Sequence, residues 1–152
     1  MSMQYLSNKV WVSDTIQRVL GNTYKTFDDA MCGSCLVSHG MKKQGYQVRC
    51  NDYYYPAFCM AEGLIATPYT KTLEKRLYEL RAEFASLKGY RGGPLHTNCY
   101  NAAGYLTESA AMMLDAARQY LENKYRGDVL YYPGLVMIMN AADRLWQTLG
   151  HM

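Results

Sequence analysis

The sequence has only four prolines in 152 residues, and no two of them are adjacent. It has no Gly-Lys-Ser or Gly-Lys-Thr phosphate loop and no His-Glu-x-x-His motif, which argues against P-loop nucleotidases and zinc proteases. No Ser-His-Asp arrangement of a hydrolase is recognisable. The chain also lacks an apolar run long enough to span a bilayer and a signal-peptide pattern, so we expect no membrane contact and a cytoplasmic location.

The amino-acid composition is that of an ordinary globular domain. Hydrophobic residues make up 49% and charged residues 19%, which argues against long disordered segments. The length suits a single domain, residues 1–152, with a core of its own. A formal net charge of +3 permits contact with nucleic acid without requiring it. The five cysteines are expected to be reduced thiols.

A strand–turn–helix–strand pattern occupies the first third of the chain. Residues 26–31 predict a short strand, and a tight turn of small residues follows, with Ser34 as the N-cap of a helix. The helix ends at Gly45, where a C-terminal glycine is expected. Residues 46–50 alternate as a second strand. This order predicts two parallel strands joined by a helix.

The end of the second strand places an acid where a nucleotide cofactor would need one. Asp52 follows Gly33 by nineteen residues. A small residue at the first turn lets a ligand approach the backbone, and a carboxylate at that later position can accept both hydroxyls of a ribose. On spacing alone, a nucleotide or S-adenosylmethionine site and plain α/β packing remain equally open.

The cysteines offer alternative interpretations. Cys32 and Cys35 form a C-x-x-C pair at a strand–helix junction, where thiol–disulfide exchange enzymes carry theirs. His96 and Cys99 have the spacing of metal ligands and could complete a zinc site with that pair. In the third interpretation, the cysteines are simply small, semi-buried side chains.

Beyond Pro68 the alternation of strand and helix stops. Residues 73–87 carry leucine or phenylalanine at every third or fourth position, which predicts one long helix with a narrow buried seam. Residues 90–104 predict a loop, because glycines interrupt them repeatedly. Two more helices are predicted, one over residues 107–123 and one that begins near Gly134.

The outer face of the long helix is rich in lysine and arginine. Such a face is usually just solvated, but beside a cofactor fold it is also a candidate for contact with DNA phosphates. The residues expected nearest to DNA are Lys75, Arg76, Lys88 and Arg91.

Three short segments are similar, in order, to motifs of one enzyme family. Residues 5–9 are Tyr-Leu-Ser-Asn-Lys, residues 29–35 are Asp-Ala-Met-Cys-Gly-Ser-Cys, and Asn51-Asp52 ends the second strand. They resemble the opening motif, the Asp-x-Phe-x-Gly-x-Gly turn and the ribose-binding acid of the Dam-like DNA adenine-N6 methyltransferases, in their N-terminal part. Residues 105–118 and 141–150 resemble later helical segments of that family, and no chemical role is assigned to them.

The resemblance implies S-adenosylmethionine as the cofactor. The chain departs from the family pattern at Ser7, Met31 and Cys35, where the family has glycine, phenylalanine and glycine. The cofactor-binding residues that the resemblance implies are Tyr5, Asn8, Lys9, Asp29, Met31, Gly33, Ser34, Asp52 and Tyr53.

The family's catalytic motif, Asp-Pro-Pro-Tyr or a close variant, does not occur in this sequence. In the family this motif holds the target adenine after the base is flipped out of the duplex. We therefore predict no catalytic residue, no metal site, and no activity for the chain alone. The implied fold is α/β, with a partial Rossmann-like, class I methyltransferase sheet in residues 1–68 and a helical C-terminal half in residues 69–152.

We interpret the chain as the S-adenosylmethionine-binding part of a split DNA adenine-N6 methyltransferase. Two parallel strands are too few for a stable doubly wound sheet, so a second chain is expected to complete the sheet and carry the catalytic motif in a heterodimer. A homo-oligomer is the other way to cover the sheet edge. The alternatives are a non-catalytic relative that acts as a binding or structural interaction protein and, less favoured, a C-x-x-C redox or zinc protein.

Overall fold

The computed structural model describes residues 10–21 and 23–145, with the backbone alone for residues 10 and 11. The structure is α/β and mostly helical, which confirms the expected fold class at that level. It divides into two compact units, Met1–Pro68 and Tyr69–Met152. The elements of the first unit are α1 (Val10–Leu20), β1 (Thr26–Asp29), α2 (Leu36–Lys43), β2 (Gln47–Cys50), α3 (Tyr55–Ala61) and a π-helical turn (Glu62–Ala66). Those of the second are α4 (Lys71–Ser86), a π-helical segment (His96–Ala102), α5 (Glu108–Tyr125) and α6 (Tyr131–Leu145).

The sheet of the first unit pairs β1 and β2 in parallel, with Asp28 opposite Arg49. Alternate residues of both strands are half-buried, and the residues between them are exposed. On the exposed face, Arg49 Nε donates to Asp28 Oδ1 at 2.6 Å. Parallel sheets are normally covered on both faces, so this charged face is unusual for a doubly wound fold. Among the described residues the sheet has two strands. That these strands are part of a larger Rossmann-like sheet stays a prediction.

Helices α1 and α2 approach each other closely through two small residues. A Cβ on Gly40 would lie 2.4 Å from the Oγ of Ser13, which is far inside van der Waals contact. Ser13 is buried in the first half of α1. Because neither helix has a bulky side chain at this crossing, the backbones come close enough to hold α2 against its neighbours.

The second unit has a core of aliphatic side chains. The buried cluster contains Leu73, Leu80, Leu106, Ala111, Leu114, Ala117, Leu121, Leu130 and Ile138. Gly134 lies inside α6, where a Cβ would be 2.6 Å from Leu121 Cδ1. The prediction that the last helix begins near Gly134 is therefore wrong: the glycine marks a close approach to α5, and α6 begins at Tyr131.

The predicted loop over residues 90–104 is also partly wrong, because residues 96–102 form a π-helical segment. Asp115 of α5 is buried and accepts the backbone N–H groups of Leu95 and His96 at 3.1 and 2.8 Å. Gly93 permits this approach, since a Cβ there would lie 2.4 Å from the Asp115 carboxyl. The segment is thus ordered by an acid about twenty residues away, which local breaker residues do not reveal.

Among residues 10–21 and 23–145, no helix is long and apolar enough to cross a membrane.

Candidate cofactor site

The turn between β1 and α2 has two residues in the left-handed backbone region. Gly33 has φ 52° and Cys35 has φ 57°. The N–H of Cys35 donates to the carbonyl of Cys32 at 2.8 Å and closes the turn. Cys35 is the residue immediately before α2, so the prediction of Ser34 as the N-cap is wrong. Neither position would suit a β-branched residue.

Cys35 stands where the resemblance places a glycine, and its backbone keeps the conformation that favours glycine. A non-glycine residue in this region costs about 1–2 kcal/mol. The thiol is fully buried, and its Sγ lies 4.0 Å from the carbonyl oxygen of Ala57 in α3 and 3.9 Å from that of Gly33. The side chain is therefore packed against α3, with the backbone of Cys35 in the left-handed region.

The carboxylate of Asp52 holds this turn from the end of β2. Gly33 N–H donates to Oδ2 at 2.9 Å, and Tyr54 N–H donates to Oδ1 at 2.9 Å. The bonds from Tyr54 and Gly33 hold the pKa of Asp52 below its usual value. Because a carboxylate oxygen can accept more than one hydrogen bond, both oxygens can still accept hydroxyl donors. The next residue, Tyr53, leaves 91% of its surface exposed.

A cavity of about 340 Å³ opens beside the turn. This volume is within the range of about 300–1,000 Å³ that is typical of small-molecule sites. Four of the residues expected to bind cofactor line it, namely Asp29, Met31, Gly33 and Ser34. The remaining lining residues are Val12, Ile16, Phe27, Cys32, Leu36 and Val37, so the walls are mostly apolar.

Asp29, at the end of β1, is the acidic group of this cavity. Ser38, on the first turn of α2, is completely buried and donates its Oγ–H to Asp29 Oδ2. Sequence reasoning missed Ser38. Its spacing of three residues from the buried Met41 was the available signal, because that spacing places a polar side chain on the inner face of the helix.

The residues at this site fit S-adenosylmethionine chemically. The cofactor carries an ammonium and a sulfonium, for which Asp29 is a suitable partner, and a ribose diol, which Asp52 can accept. The apolar walls suit its thioether chain and adenine. Of the other predicted contacts, Tyr5, Asn8 and Lys9 lie outside the described residues.

The thiols of the turn do not have the environment of a redox centre. Burial raises the pKa of Cys32 to about 11 and also raises the pKa of Cys35. Exchange enzymes need a thiolate, so these protonated thiols do not favour the redox alternative. Within the described part of the chain, no three His, Cys, Asp or Glu side chains are arranged to hold a metal ion, so the zinc alternative gains no support.

The four basic residues that we expected near DNA lie in the second unit and differ in their partners. Arg76 donates to both carboxylate oxygens of Asp128 at 3.0 and 2.9 Å, and Arg91 pairs with Glu108 at 2.8 Å. Lys75 is 3.9 Å from Glu79, and its side chain is 80% exposed. Lys88 is exposed beyond the end of α4.

The family of D12 class N6 adenine-specific DNA methyltransferases matches residues 5–130. The type II methyltransferase M.CviAII of Paramecium bursaria Chlorella virus 1 is 27% identical over 123 residues, which are 77% of this chain. The chain covers 36% of the length of that relative. No solved structure matches the chain. Since the family match spans most of the sequence and includes the β1–α2 turn and Asp52, the chain belongs to the D12 class N6 adenine-specific DNA methyltransferase family.

Proposed function

We propose that the chain is the S-adenosylmethionine-binding part of a DNA adenine-N6 methyltransferase. The observation that carries the proposal is the β1–α2 turn, whose Gly33 N–H is bound by Asp52 beside a cavity of about 340 Å³. The acid at the end of the next strand holds the turn, and the adjacent apolar cavity contains one carboxylate. This arrangement suits a ligand that has a ribose at one end and a cation at the other.

Each residue of the site has a distinct role in this proposal. Asp52 accepts the ribose hydroxyls, and Asp29 accepts the ammonium of the amino-acid part. Gly33 leaves room for the ligand, and Tyr53 offers an exposed aromatic ring beside the ribose. When bound, S-adenosylmethionine supplies an activated methyl group. The roles of Tyr5, Asn8 and Lys9 stay as the resemblance implies them.

The transfer itself requires groups that this sequence lacks. No Asp-Pro-Pro-Tyr motif occurs in the 152 residues, and the chain matches 36% of its viral relative. Within the described residues, β1 and β2 pair only with each other, so each strand has an unpaired edge. We infer that a second chain completes the sheet, carries the catalytic motif and forms a heterodimer that methylates DNA in the cytoplasm. A homo-oligomer would cover the edge without providing the motif.

Calorimetric titration with S-adenosylmethionine tests the cofactor site. We expect saturable binding by the wild-type chain and a clear loss with Asp52→Ala. Asp28→Ala is the matched control, because it removes an aspartate of the same sheet whose partner is the exposed Arg49. No binding by the wild-type chain, alone or with its partner, would sink the cofactor assignment. Equal losses in the two variants would remove the specific role of Asp52.

A methylation assay tests the split enzyme. The product of the neighbouring reading frame is purified and mixed with the chain, a DNA duplex and S-adenosylmethionine labelled in its methyl group. We expect label in N6-methyladenine only when both chains are present. Label from either chain alone would contradict the division of labour.

The second candidate function is a non-catalytic relative that binds cofactor or protein. The absence of the catalytic motif from this sequence is the observation that favours it. Cofactor binding without methylation in the presence of every candidate partner would favour this function over the split enzyme.

A further inference from the structure

The basic side chains of the second unit fall into two groups according to whether a carboxylate holds them. Four are paired at 3.0 Å or less: Arg76 with Asp128, Arg91 with Glu108, Lys124 with Glu83 and Arg126 with Glu122. Lys124 also contacts the rings of Tyr120 and Tyr125. These four basic side chains are therefore paired with carboxylates of the same unit.

The solvent face of α4 is different. Lys71, Lys75, Tyr78 and Arg81 follow one another at spacings of four, three and three residues, which places them on one side of the helix. This side is opposite the buried Leu73 and Leu80. All four residues are exposed, and in the described part of the chain neither Lys71 nor Arg81 forms an ion pair.

The geometry of this face suits a polyanion. Arg81 follows Lys71 by ten positions, so the face extends about 15 Å along the helix, at about 1.5 Å per residue. A DNA strand carries a phosphate about every 3.4 Å along the duplex axis, so several phosphates lie within that length. Tyr78, which is 64% exposed, offers a hydroxyl between the cations.

The acidic residues of α4 limit what this face can contact. Glu79 is 3.9 Å from Lys75 and 60% exposed, so it weakens that charge only modestly. Glu74 is half-buried and interacts with the hydroxyl of Tyr69. Glu79 lies at the edge of the basic face, whereas Glu74 lies on the face itself, three residues after Lys71 and four before Tyr78. Phosphates would therefore contact the cations on either side of Glu74.

We propose that the face of Lys71, Lys75, Tyr78 and Arg81 is the surface through which this chain contacts the phosphate backbone of its DNA substrate. The proposal rests on the proposed function and deepens it. Of the set that we expected from the sequence, it keeps Lys75 and leaves out Arg76 and Arg91, whose guanidinium groups already bind Asp128 and Glu108. It also leaves out Lys88, which lies beyond the end of α4. Contacts to phosphates position a protein on DNA without reading its sequence.

Two triple variants of the full chain test this surface at equal net charge. The first combines Lys71→Ala, Lys75→Ala and Arg81→Ala, and the control combines Arg91→Ala, Arg118→Ala and Arg126→Ala, all at exposed positions. Binding to a fluorescein-labelled duplex of about 20 base pairs is measured by anisotropy at several salt concentrations between about 50 and 200 mM.

We expect the first variant to bind DNA at least about tenfold more weakly, with a salt dependence reduced by about 0.9 for each phosphate contact removed. The control should stay within about twofold of the wild type. Equal weakening of both variants, absence of DNA binding by the wild type, or equally tight binding of poly-glutamate would each overturn the proposal. S-adenosylmethionine titration of the same variants separates the two proposals, because failure of the cofactor site would leave the DNA comparison unaffected.

Discussion

The two units of this protein differ in what fills their interiors. The second unit buries a cluster dominated by leucine, contributed by α4, α5 and α6 and by the segments just before α5 and α6. In the described part of the first unit, Ile65 is the one branched aliphatic side chain that is buried. The other buried apolar residues there are Cys32, Cys35, Met41, Tyr46, Ala57, Cys59 and Met60. Cysteine and alanine bury less apolar area than leucine does, and methionine packs less specifically because its side chain is unbranched and flexible.

Because of this difference, we expect the second unit to be stabilised mainly by its core and the first unit to be stabilised by ligand binding. In the first unit, the hydrogen bond from Ser38 orients Asp29, which lines the cavity, and the bond from Gly33 N–H to Asp52 holds the adjacent turn. Neither bond adds much apolar burial. Such a unit gains stability from whatever binds it, in proportion to the logarithm of ligand concentration over the dissociation constant. The second unit already has its core. We therefore expect packing substitutions to act on the second unit and ligand-dependent effects to appear in the first.

The largest expected effect is that of Leu121→Ala. Leu121 is fully buried beside Gly134, and its removal leaves a cavity at the contact between α5 and α6. We expect the free energy of unfolding to fall by about 2–5 kcal/mol, measured by urea denaturation. Arg118→Ala, an exposed change on the same helix, should cost less than about 0.5 kcal/mol. A fall in the free energy of unfolding below about 1 kcal/mol for Leu121→Ala would contradict the view that the aliphatic core stabilises the second unit.

The next effect concerns the backbone of the cofactor turn. Cys35→Val places a β-branched residue at φ 57°, and we expect it to destabilise the first unit by about 1–3 kcal/mol and to weaken S-adenosylmethionine binding. Cys35→Gly relaxes the backbone but removes a buried thiol, so it should keep both stability and binding near the wild type. Thermal unfolding and calorimetric titration measure the two quantities. A Val variant that behaves like the Gly variant would show that the conformation of this turn does not matter.

Ser38→Ala removes the hydrogen bond that orients Asp29, and its effect is measured by comparing the affinities of two ligands. S-adenosylhomocysteine carries the amino-acid part of the cofactor, and methylthioadenosine lacks it. Loss of a hydrogen bond to a charged group should weaken binding of the first ligand by about tenfold and leave binding of the second unchanged. Ser34→Ala, in the same turn, is the control. Equal losses for both ligands would assign Ser38 a purely structural role.

The smallest expected effect is the titration of Asp52. Its pKa is lowered by the N–H groups of Tyr54 and Gly33, so these bonds contribute stability above about pH 4, and the contribution is lost as the pH falls through the lowered pKa. The amide proton shifts of Gly33 and Tyr54, followed by NMR, should titrate together with a midpoint below about 3.9. Asp52→Asn should abolish both transitions. A midpoint at or above the ordinary value would be evidence against these bonds in solution.

The first unit was the more predictable from sequence. The order strand–turn–helix–strand and the parallel pairing are confirmed, and so is the family. The boundaries were less accurate. β1 ends at Asp29 because residues 30 and 31 already belong to the turn, and Cys35 takes the position expected of Ser34. The seam of α4 is also confirmed, with Leu73 and Leu80 buried.

Long-range contacts account for what sequence reasoning missed. Asp128 accepts hydrogen bonds from Arg76 from fifty-two residues away, a pairing that the spacing of charges along α4 does not indicate. Asp115 orders a segment that contains His96 and looked like a loop. Gly134 resembled a helix boundary and is a packing contact instead. None of these partners is near in sequence, so no local pattern could reveal them.

By itself, the sequence determined the periodicity of the helices, the small residues of the turn, the acid nineteen residues after Gly33, and the family. These are local properties, set by backbone preference and by the spacing of side chains. Only the tertiary structure decided which carboxylates hold backbone groups, which cations remain free on α4, and where Ser38 directs its hydroxyl. Those outcomes depend on burial and on distances between residues far apart in the chain, and both quantities exist only once the chain is packed.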